Sequence, residues 1–142
     1  MSIPQLVRTF YERIWNAGDL DGIPDLLAQD FRFRGSLGSE LHGREAFAGY
    51  VKSVRDALDK YNCEILDCVS EGDRAFAKMR FSGLHVGVFR GYEATGKFVS
   101  WMGAALFRFE DMAIKELWVL GDLSGLDAEL KQNAVTCQGN RA

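Results

Sequence analysis

The first sixty residues carry hydrophobic side chains at the spacing of amphipathic helices. Apolar residues repeat every three or four positions over 4–16, which predicts a helix that Gly18 can end. The same pattern predicts a short second helix around 23–27 and a long third helix over 44–60. Between these two helices, residues 30–35 alternate phenylalanine with arginine and predict a short strand that runs into a glycine-rich loop.

The sequence beyond residue 61 changes to the pattern of β-strands. The turn signal "EGD" at 71–73 joins the first two strands as a hairpin, and a glycine-rich excursion separates the second strand from the third. A last short helix follows the fourth strand with Ser124 as its expected cap, and the polar tail from Gln132 onward is expected to fray. The four predicted strands cover residues 63–70, 75–84, 98–110 and 114–120.

The order of these elements predicts an α+β fold. Three helices followed by a four-stranded meander are typical of a curved, mostly antiparallel sheet packed on a helical layer. Such a sheet, bent at its glycines, leaves a cone-shaped apolar pocket suited to a small ligand. The length of 142 residues fits a single domain, with a core over about 4–131 and a tail over 132–142.

Composition and charge narrow the classes of function. Aromatic residues make up 12% of the chain, which suits an aromatic cavity and equally suits a plain aromatic core. The net charge is −3, and Lys and Arg do not cluster, so neither nucleic acid nor an anionic membrane is expected as a partner. No apolar run reaches the roughly 18 residues of a membrane span, and no signal peptide is recognisable. We therefore expect a cytoplasmic protein.

The three cysteines predict free thiols. Cys63, Cys68 and Cys137 make an odd count without a C-x-x-C spacing, which is typical of a reducing compartment. Cys63 and Cys68 lie five residues apart in one predicted strand, so regular alternation directs their side chains to opposite faces. The two histidines have no carboxylates at ligand spacing, so no metal site is expected.

Four stretches of the chain have the order and spacing of a known family: "HGREAF" (42–47), "LHVGVFRG" (84–91), "ATGKFVS" (94–100) and "FRFEDMAIKELWVLGDLSGL" (107–126). Through them the chain resembles the SnoaL-like polyketide cyclases, within the nuclear-transport-factor-2-like superfamily. The resemblance implies a curved sheet around a hydrophobic pocket, often in a homodimer, and acid–base catalysis without a metal or organic cofactor. In characterised cyclases an aspartate takes the acidic proton of a polyketide ester and drives an aldol closure, which needs a carboxylate in an apolar site.

Two positions depart from the cyclase pattern. The resemblance implies the acid/base aspartate directly after the tryptophan of the last strand, where this chain has Val119, and a partner histidine where it has Ala105. The candidate catalytic residues that remain are Asp122 and His85. Asp122 is either a carboxylate at the pocket wall or the cap of the last helix. His85 is either a hydrogen-bonded structural residue or a group that acts on a carbonyl as base or donor.

Aromatic and small residues form the candidate pocket wall. Trp101 shares its strand face with Gly103 and Ala105, whose small side chains would leave room beside the indole. Arg34 offers a planar fork of donors to a carboxylate or ester oxygen, or else lies in solvent. Each aromatic residue is equally compatible with ordinary core packing. The candidate substrate-binding residues are Trp15, Phe33, Arg34, Tyr50, Met79, Trp101, Ala105, Trp118 and Val119, with Tyr11 as a further candidate for the lining.

Three hypotheses of function follow. The first is a cofactor-independent lyase or isomerase of the SnoaL-like type, with aldol-type cyclisation of a small hydrophobic carbonyl compound by Asp122 and His85. The second is a module that binds a small hydrophobic or aromatic molecule without the chemistry, which Val119 and Ala105 favour over a true cyclase. The third is a dimeric scaffold whose interior is merely packed. In each case a second copy of the chain is expected on the outer face of the sheet.

Overall fold

The computed structural model describes residues 1–139, with side chains as far as residue 136, so the prediction for the Cys137 thiol and for residues 140–142 lies outside the described part. Helix α1 (Ile3–Thr9) begins at a capping box: the Ser2 hydroxyl accepts the Gln5 N–H at 3.3 Å, and the Gln5 side chain accepts the Ser2 N–H at 2.8 Å. The helix continues from Phe10 to Asn16 with π-helical geometry. The remaining helices are α2 (Gly22–Leu26), α3 (Arg44–Ala57) and α4 (Leu123–Gly139).

The strands of the described residues form one six-stranded, curved and open sheet in the order β2-β1-β6-β5-β4-β3. Neighbouring strands are antiparallel except β1 and β6, which run parallel. This architecture confirms the predicted α+β fold. The strands are β1 (Leu27–Arg34), β2 (Glu40–His42), β3 (Leu58–Glu71), β4 (Arg74–His85), β5 (Phe98–Glu110) and β6 (Ala113–Gly121).

The two faces of the sheet differ in burial, and this difference positions the core. Along β4, Ala75, Ala77, Met79 and Phe81 are buried, while the residues between them are exposed. We call the buried side the inner face and the opposite side the outer face. Because α1, the π-helical segment and α3 pack against the sheet, the inner face and the helical layer enclose a largely aromatic core.

Two features of the N-terminal half differ from prediction. The glycine-rich loop contains β2, which pairs with β1 as a hairpin and was not predicted. Helix α3 ends at Ala57 rather than at residue 60, because Leu58 is fully buried and pairs with His85 in the sheet. The sequence pattern cannot tell where α3 ends and β3 begins. Leu58 fits equally well as the next apolar residue of the helix and as the first inward-facing residue of the strand.

Two further corrections concern the C-terminal half. Helix α4 is not short, and the segment from Gln132 does not fray before residue 139, because Leu126 and Leu130 are fully buried one helical turn apart. Cys63 and Cys68 do not lie on opposite faces, because a register shift between Ile65 and Asp67 restores Cys68 to the inner side. Cys63 pairs with Phe81 and Cys68 with Ala77 on β4. Because these partners are four residues apart along the strand, the two thiols are separated by roughly 14 Å. None of the helices described within residues 1–139 has the length and apolar character needed to cross a membrane.

Candidate functional site

The interior of the cone contains a void of about 20 Å³ between the π-helical segment, α3 and the inner face of the sheet. Ser36 and Leu37, in the loop between β1 and β2, are the lining residues that lie outside helices and strands. All other lining residues are held by regular elements. The lining consists of Tyr11, Trp15, Phe33, Ser36, Leu37, Tyr50, Val54, Tyr61, Cys63, Phe81, Leu117 and Val119.

The void has the size of about one water molecule. A buried water needs roughly 10–15 Å³, whereas an engineered cavity that accepts benzene is about 150 Å³. The room expected beside Trp101 is occupied, because the ring of Phe81 lies over Gly103, where a Cβ atom would approach Phe81 to 2.4 Å. Aromatic side chains therefore fill most of the cone in this conformation.

The titratable groups of the lining are phenols and a thiol. Burial raises the pKa of Tyr11 and of Tyr61 well above the usual value of 10.0, and it raises the pKa of Tyr50 to about 12. Burial also raises the pKa of the Cys63 thiol. These groups stay protonated at neutral pH, so they are available as hydrogen-bond donors and not as bases.

The polar groups of the lining differ in their hydrogen bonding. The Ser36 hydroxyl accepts the indole N–H of Trp101 at 3.4 Å. The hydroxyl of Tyr11 is buried and has no hydrogen-bond partner.

The wall contains neither a carboxylate nor an imidazole. Val119 and Ala105, the two positions of departure from the cyclase pattern, are buried on the inner face and pair directly between β6 and β5. The void therefore lacks, at the positions implied by the resemblance, the groups that transfer protons. Among the side chains described, up to residue 136, no group of three or more His, Cys, Asp or Glu is placed to hold a metal ion.

Asp122 lies at the start of α4 and not at the void. Its carboxylate accepts the Gly125 N–H at 3.0 Å, and its backbone N–H donates to Met102 at 2.9 Å. The side chain is exposed to solvent. Of the two alternatives raised by the sequence, the structure supports the helix cap, and the expected cap at Ser124 is wrong because the helix has already begun at Leu123.

His85 is fully buried but belongs to the base of the 86–96 loop. Its Nε2 atom lies 3.2 Å from the carbonyl of Tyr92, so this nitrogen carries the donated proton. Its Nδ1 atom lies 3.2 Å from the Thr95 hydroxyl, which donates to it when the ring is neutral. Both ring nitrogens are thus engaged within the loop, and His85 is not among the residues that line the void.

Two expected wall residues face outward. The burial pattern of β6 alternates so that Leu117 and Val119 are buried and Trp118 is exposed. Arg34 lies on the same outer side, with its guanidinium carbon 5.6 Å from the centre of the Trp118 ring. Arg34 also donates to the carbonyl of Val119, so it ties β1 to β6 instead of reaching the interior.

The void thus gathers four of the nine expected substrate-binding residues, namely Trp15, Phe33, Tyr50 and Val119, together with Tyr11. Met79, Trp101 and Ala105 are buried on the inner face but belong to the surrounding core.

Strand and helix periodicity could have located two of the lining residues that the sequence analysis missed. Leu117 lies two residues from Val119 on β6, and Val54 lies four residues from Tyr50 on α3. Ser36 and Leu37 had no such signal, because the path of a loop depends on tertiary packing. The lining residues absent from the sequence-based set are Ser36, Leu37, Val54, Tyr61, Cys63, Phe81 and Leu117.

Comparison with known proteins agrees with this geometry. The profile of the SnoaL-like polyketide cyclase family matches residues 5–130, and the chain belongs to that family. TsrD from Streptomyces laurentii is 28% identical and superimposes with a TM-score of 0.80, over 90% of this chain and 93% of TsrD. No curated protein sequence matches this chain.

Two more distant structures share the fold. IdmH from Streptomyces antibioticus is 23% identical, with a TM-score of 0.79 over 90% of this chain and 97% of IdmH. A SnoaL-like polyketide cyclase from Agrobacterium tumefaciens is 15% identical, with a TM-score of 0.79 over 92% of this chain and 98% of its own. At these identities the likeness concerns the fold alone.

The cap role of Asp122 predicts a specific order of stability among variants. Asp122→Ala should lower the free energy of unfolding by about 1 kcal/mol, and Asp122→Asn should lower it by less than half of that, because asparagine also caps helices well. Urea unfolding at pH 7 measures both changes. Ser124→Ala is the matched control and should not destabilise the protein. Equal stability of Asp122→Ala and the wild type would contradict the cap.

The buried phenols predict a loss of stability at alkaline pH. The unfolded chain releases tyrosine protons near pH 10, whereas the folded protein retains those of Tyr11 and Tyr61 to higher pH. The contribution of the tyrosines to stability is therefore complete below pH 9 and should fall as the pH rises above 10, by about 1.4 kcal/mol per pH unit for each buried tyrosine. Urea unfolding between pH 8 and 11 tests this prediction. In Tyr61→Phe, the free energy of unfolding should fall with pH less steeply than in the wild type, by about 1.4 kcal/mol per pH unit. An identical decline in wild type and Tyr61→Phe would show that Tyr61 does not contribute.

Proposed function

We propose that this protein binds a small, ring-bearing hydrophobic molecule in the interior of its cone without carrying out the aspartate-driven cyclisation of characterised relatives. The observation that carries this proposal is the chemistry of the wall, in which no residue accepts a proton at neutral pH. The acid/base position holds Val119, and its partner position holds Ala105. An aldol closure needs a base close to the acidic carbon, and the interior offers only neutral phenols and a thiol.

Cyclase chemistry through Asp122 and His85 has weaker support. Asp122 is exposed and engaged with Gly125, and both ring nitrogens of His85 are engaged within its own loop. Neither residue lines the void. A binding module therefore accounts for the retained interior better than a lyase or isomerase does.

The proposed ligand enters by displacing the loop that carries Ser36 and Leu37. These residues are the part of the lining that no helix or strand holds, and the indole N–H of Trp101 reaches Ser36 over a long 3.4 Å. The loop also rests on Gly121, where a Cβ atom would lie 2.6 Å from the Ser36 carbonyl. Outward movement of this loop breaks the Trp101–Ser36 hydrogen bond and the contact with Gly121, and it enlarges the void toward solvent.

The rings around the void favour a planar ligand. Trp15 contacts Tyr50 and Tyr61 edge to face, with centroids 5.9 and 5.4 Å apart. Phe33 and Tyr50 are separated by 5.4 Å. An aromatic ring inserted among them can adopt the same edge-to-face geometry, which contributes stability beyond the burial of its area.

Ethylbenzene and acetophenone are suitable probes of this proposal. We expect both to bind the wild-type protein in the millimolar range, with methyl NMR shifts at Leu37, Val54, Leu117 and Val119. Val119→Phe projects a ring into the void and should weaken both affinities at least tenfold. Val99→Phe, at a buried residue outside the lining, is the control for overpacking and should leave the affinities within twofold.

The absence of shifts for either probe up to its solubility limit would contradict the binding proposal. That outcome favours the alternative of a scaffold with a packed interior. Turnover of a carbonyl compound that Asp122→Asn abolishes without unfolding would instead favour the enzyme.

We also propose that two copies associate through their outer faces. Four exposed apolar residues lie in register across β3, β4, β5 and β6, and we call them the outer stripe. Arg108, beside the stripe, is paired with Glu116 at 3.0 Å, which neutralises one of the charges on this face. The outer face of β1 and β3–β6 covers roughly 700 Å², close to the roughly 800 Å² per partner of a standard interface. The outer stripe consists of Val69 (60% exposed), Phe76 (43%), Leu106 (40%) and Trp118 (46%).

A dimer held by the outer stripe should have twice the 15.9 kDa mass of the chain in light scattering at micromolar concentration. Leu106→Lys places a charge in the middle of the stripe and should yield monomers. Val88→Lys changes a more exposed apolar residue away from the sheet, 70% exposed against 40% for Leu106, and should leave the dimer intact. A monomeric wild-type mass would contradict the association.

A reducing, cytoplasmic location completes the proposal. It is supported by Cys63 and Cys68, which are free thiols. Their separation along β3 leaves no route to a disulfide between them without refolding the strand.

A further inference from the structure

We propose that the hydroxyl of Tyr11 donates a hydrogen bond to a carbonyl oxygen of the bound molecule. The inference rests on the proposed binding function and specifies the class of ligand, a small aromatic ketone, ester or quinone in place of a plain hydrocarbon. The geometry that carries it is a buried hydroxyl without a partner on a side chain that lines the void.

Tyr11 is held firmly in its position. Its ring packs edge to face against Phe10 and Phe107, with centroids 5.0 and 5.9 Å away. One turn later, the Asn16 side chain donates to the Cys63 carbonyl at 3.1 Å and accepts the Cys63 N–H at 2.7 Å. These contacts fix the π-helical segment to β3, so the Tyr11 hydroxyl cannot find a partner by moving away. Single π-helical turns of this kind are frequent at functional sites.

Solvent does not supply the missing partner directly. The Tyr11 ring also forms the floor of a surface groove beside Arg8 and Cys68, but the hydroxyl oxygen itself is buried. A buried donor without an acceptor is costly, and proteins retain few of them without a functional reason. Of the other hydroxyls of the void, that of Ser36 accepts the indole N–H of Trp101, and those of Tyr50 and Tyr61 are not among the buried side-chain atoms that lack a partner.

The Tyr11 hydroxyl lacks a hydrogen-bond acceptor. The hydroxyl stays protonated at neutral pH because burial raises its pKa, so it has a proton to donate. A ligand N–H placed against it would leave that proton unsatisfied, whereas a carbonyl oxygen, which only accepts, satisfies it. A carbonyl attached to an aromatic ring also matches the ring-lined wall around Trp15 and Tyr50.

The experiment compares acetophenone with ethylbenzene, which differ by a carbonyl in place of a methylene. The ratio of their dissociation constants is measured by NMR titration in the wild type and in Tyr11→Phe. We expect the preference for acetophenone to fall about tenfold in Tyr11→Phe, as for the loss of one neutral hydrogen bond. Tyr92→Phe removes a tyrosine hydroxyl outside the void and should leave the preference unchanged.

A second measurement separates hydrogen bonding from a change in packing. The carbonyl stretch of carbonyl-¹³C acetophenone should shift to lower frequency when bound to the wild type and return toward its value in apolar solvent with Tyr11→Phe. Tyr11→Phe should also unfold at the same temperature as the wild type or higher, since no hydrogen bond of the free protein is lost.

The outcomes distinguish the inference from the binding proposal. If both probes bind and their ratio and the carbonyl stretch are the same in both proteins, the role of Tyr11 is wrong while the binding function stands. A clear drop in the unfolding temperature of Tyr11→Phe, with an unchanged ratio, would show that a buried water satisfies the hydroxyl and would overturn the inference. If the wild type binds neither probe, both proposals fail.

Discussion

The packing of aromatic rings around Phe47 is the interaction on which the rest of the structure depends. Phe47 is fully buried on α3, and its ring lies 4.8–6.0 Å from the rings of Phe10, Trp15, Phe31 and Phe33. These partners belong to the π-helical segment and to β1, so one side chain joins the helical layer to the sheet. Because rings packed at this density leave little free volume, the same contacts that stabilise the core also limit the void to about 20 Å³.

The chain belongs to the SnoaL-like family, and the wall of its void contains neither a carboxylate nor an imidazole. At the two positions where the resemblance implies the acid/base aspartate and its partner histidine, Val119 and Ala105 are apolar, so no carboxylate carries a desolvation cost there. What remains are neutral hydroxyls, which can recognise a polar atom but cannot accept its proton. On our proposal, the identity of these two inward-facing side chains on neighbouring strands separates binding from cyclisation within one fold.

Periodicity predicted the parts of the structure in which one face is buried. The alternation in β6 places Leu117 and Val119 on one face and Trp118 on the other, as the structure does, and it therefore argues against the expectation that Trp118 shares the pocket wall with Val119. Periodicity could not predict features that depend on contacts distant in sequence. The register shift in β3 that turns Cys68 inward, the short strand β2, and the return of the loop at Ser36 over Gly121 are all of this kind.

The candidate site was less predictable than the fold for the same reason. The sequence offered two roles for Asp122, and only the position of Leu123 as the first helical residue decides between them. His85 was correctly placed at the end of a strand, but its partners Tyr92 and Thr95 come from the loop that folds back on it. The sequence could not predict that the Tyr11 hydroxyl lacks a hydrogen-bond partner, because this depends on all the elements packed around it.

The parallel pairing of β1 with β6 has a consequence for biosynthesis. Arg34 pairs with Trp118, and α3 and three long strands separate the two along the chain. On the ribosome, β3, β4 and β5 can form their meander as they emerge, but β1 has no neighbour other than the three-residue β2 until β6 has been translated. The backbone N–H and C=O groups of β1 that pair with β6 therefore stay unpaired until then, and such an unpaired strand edge is prone to aggregation.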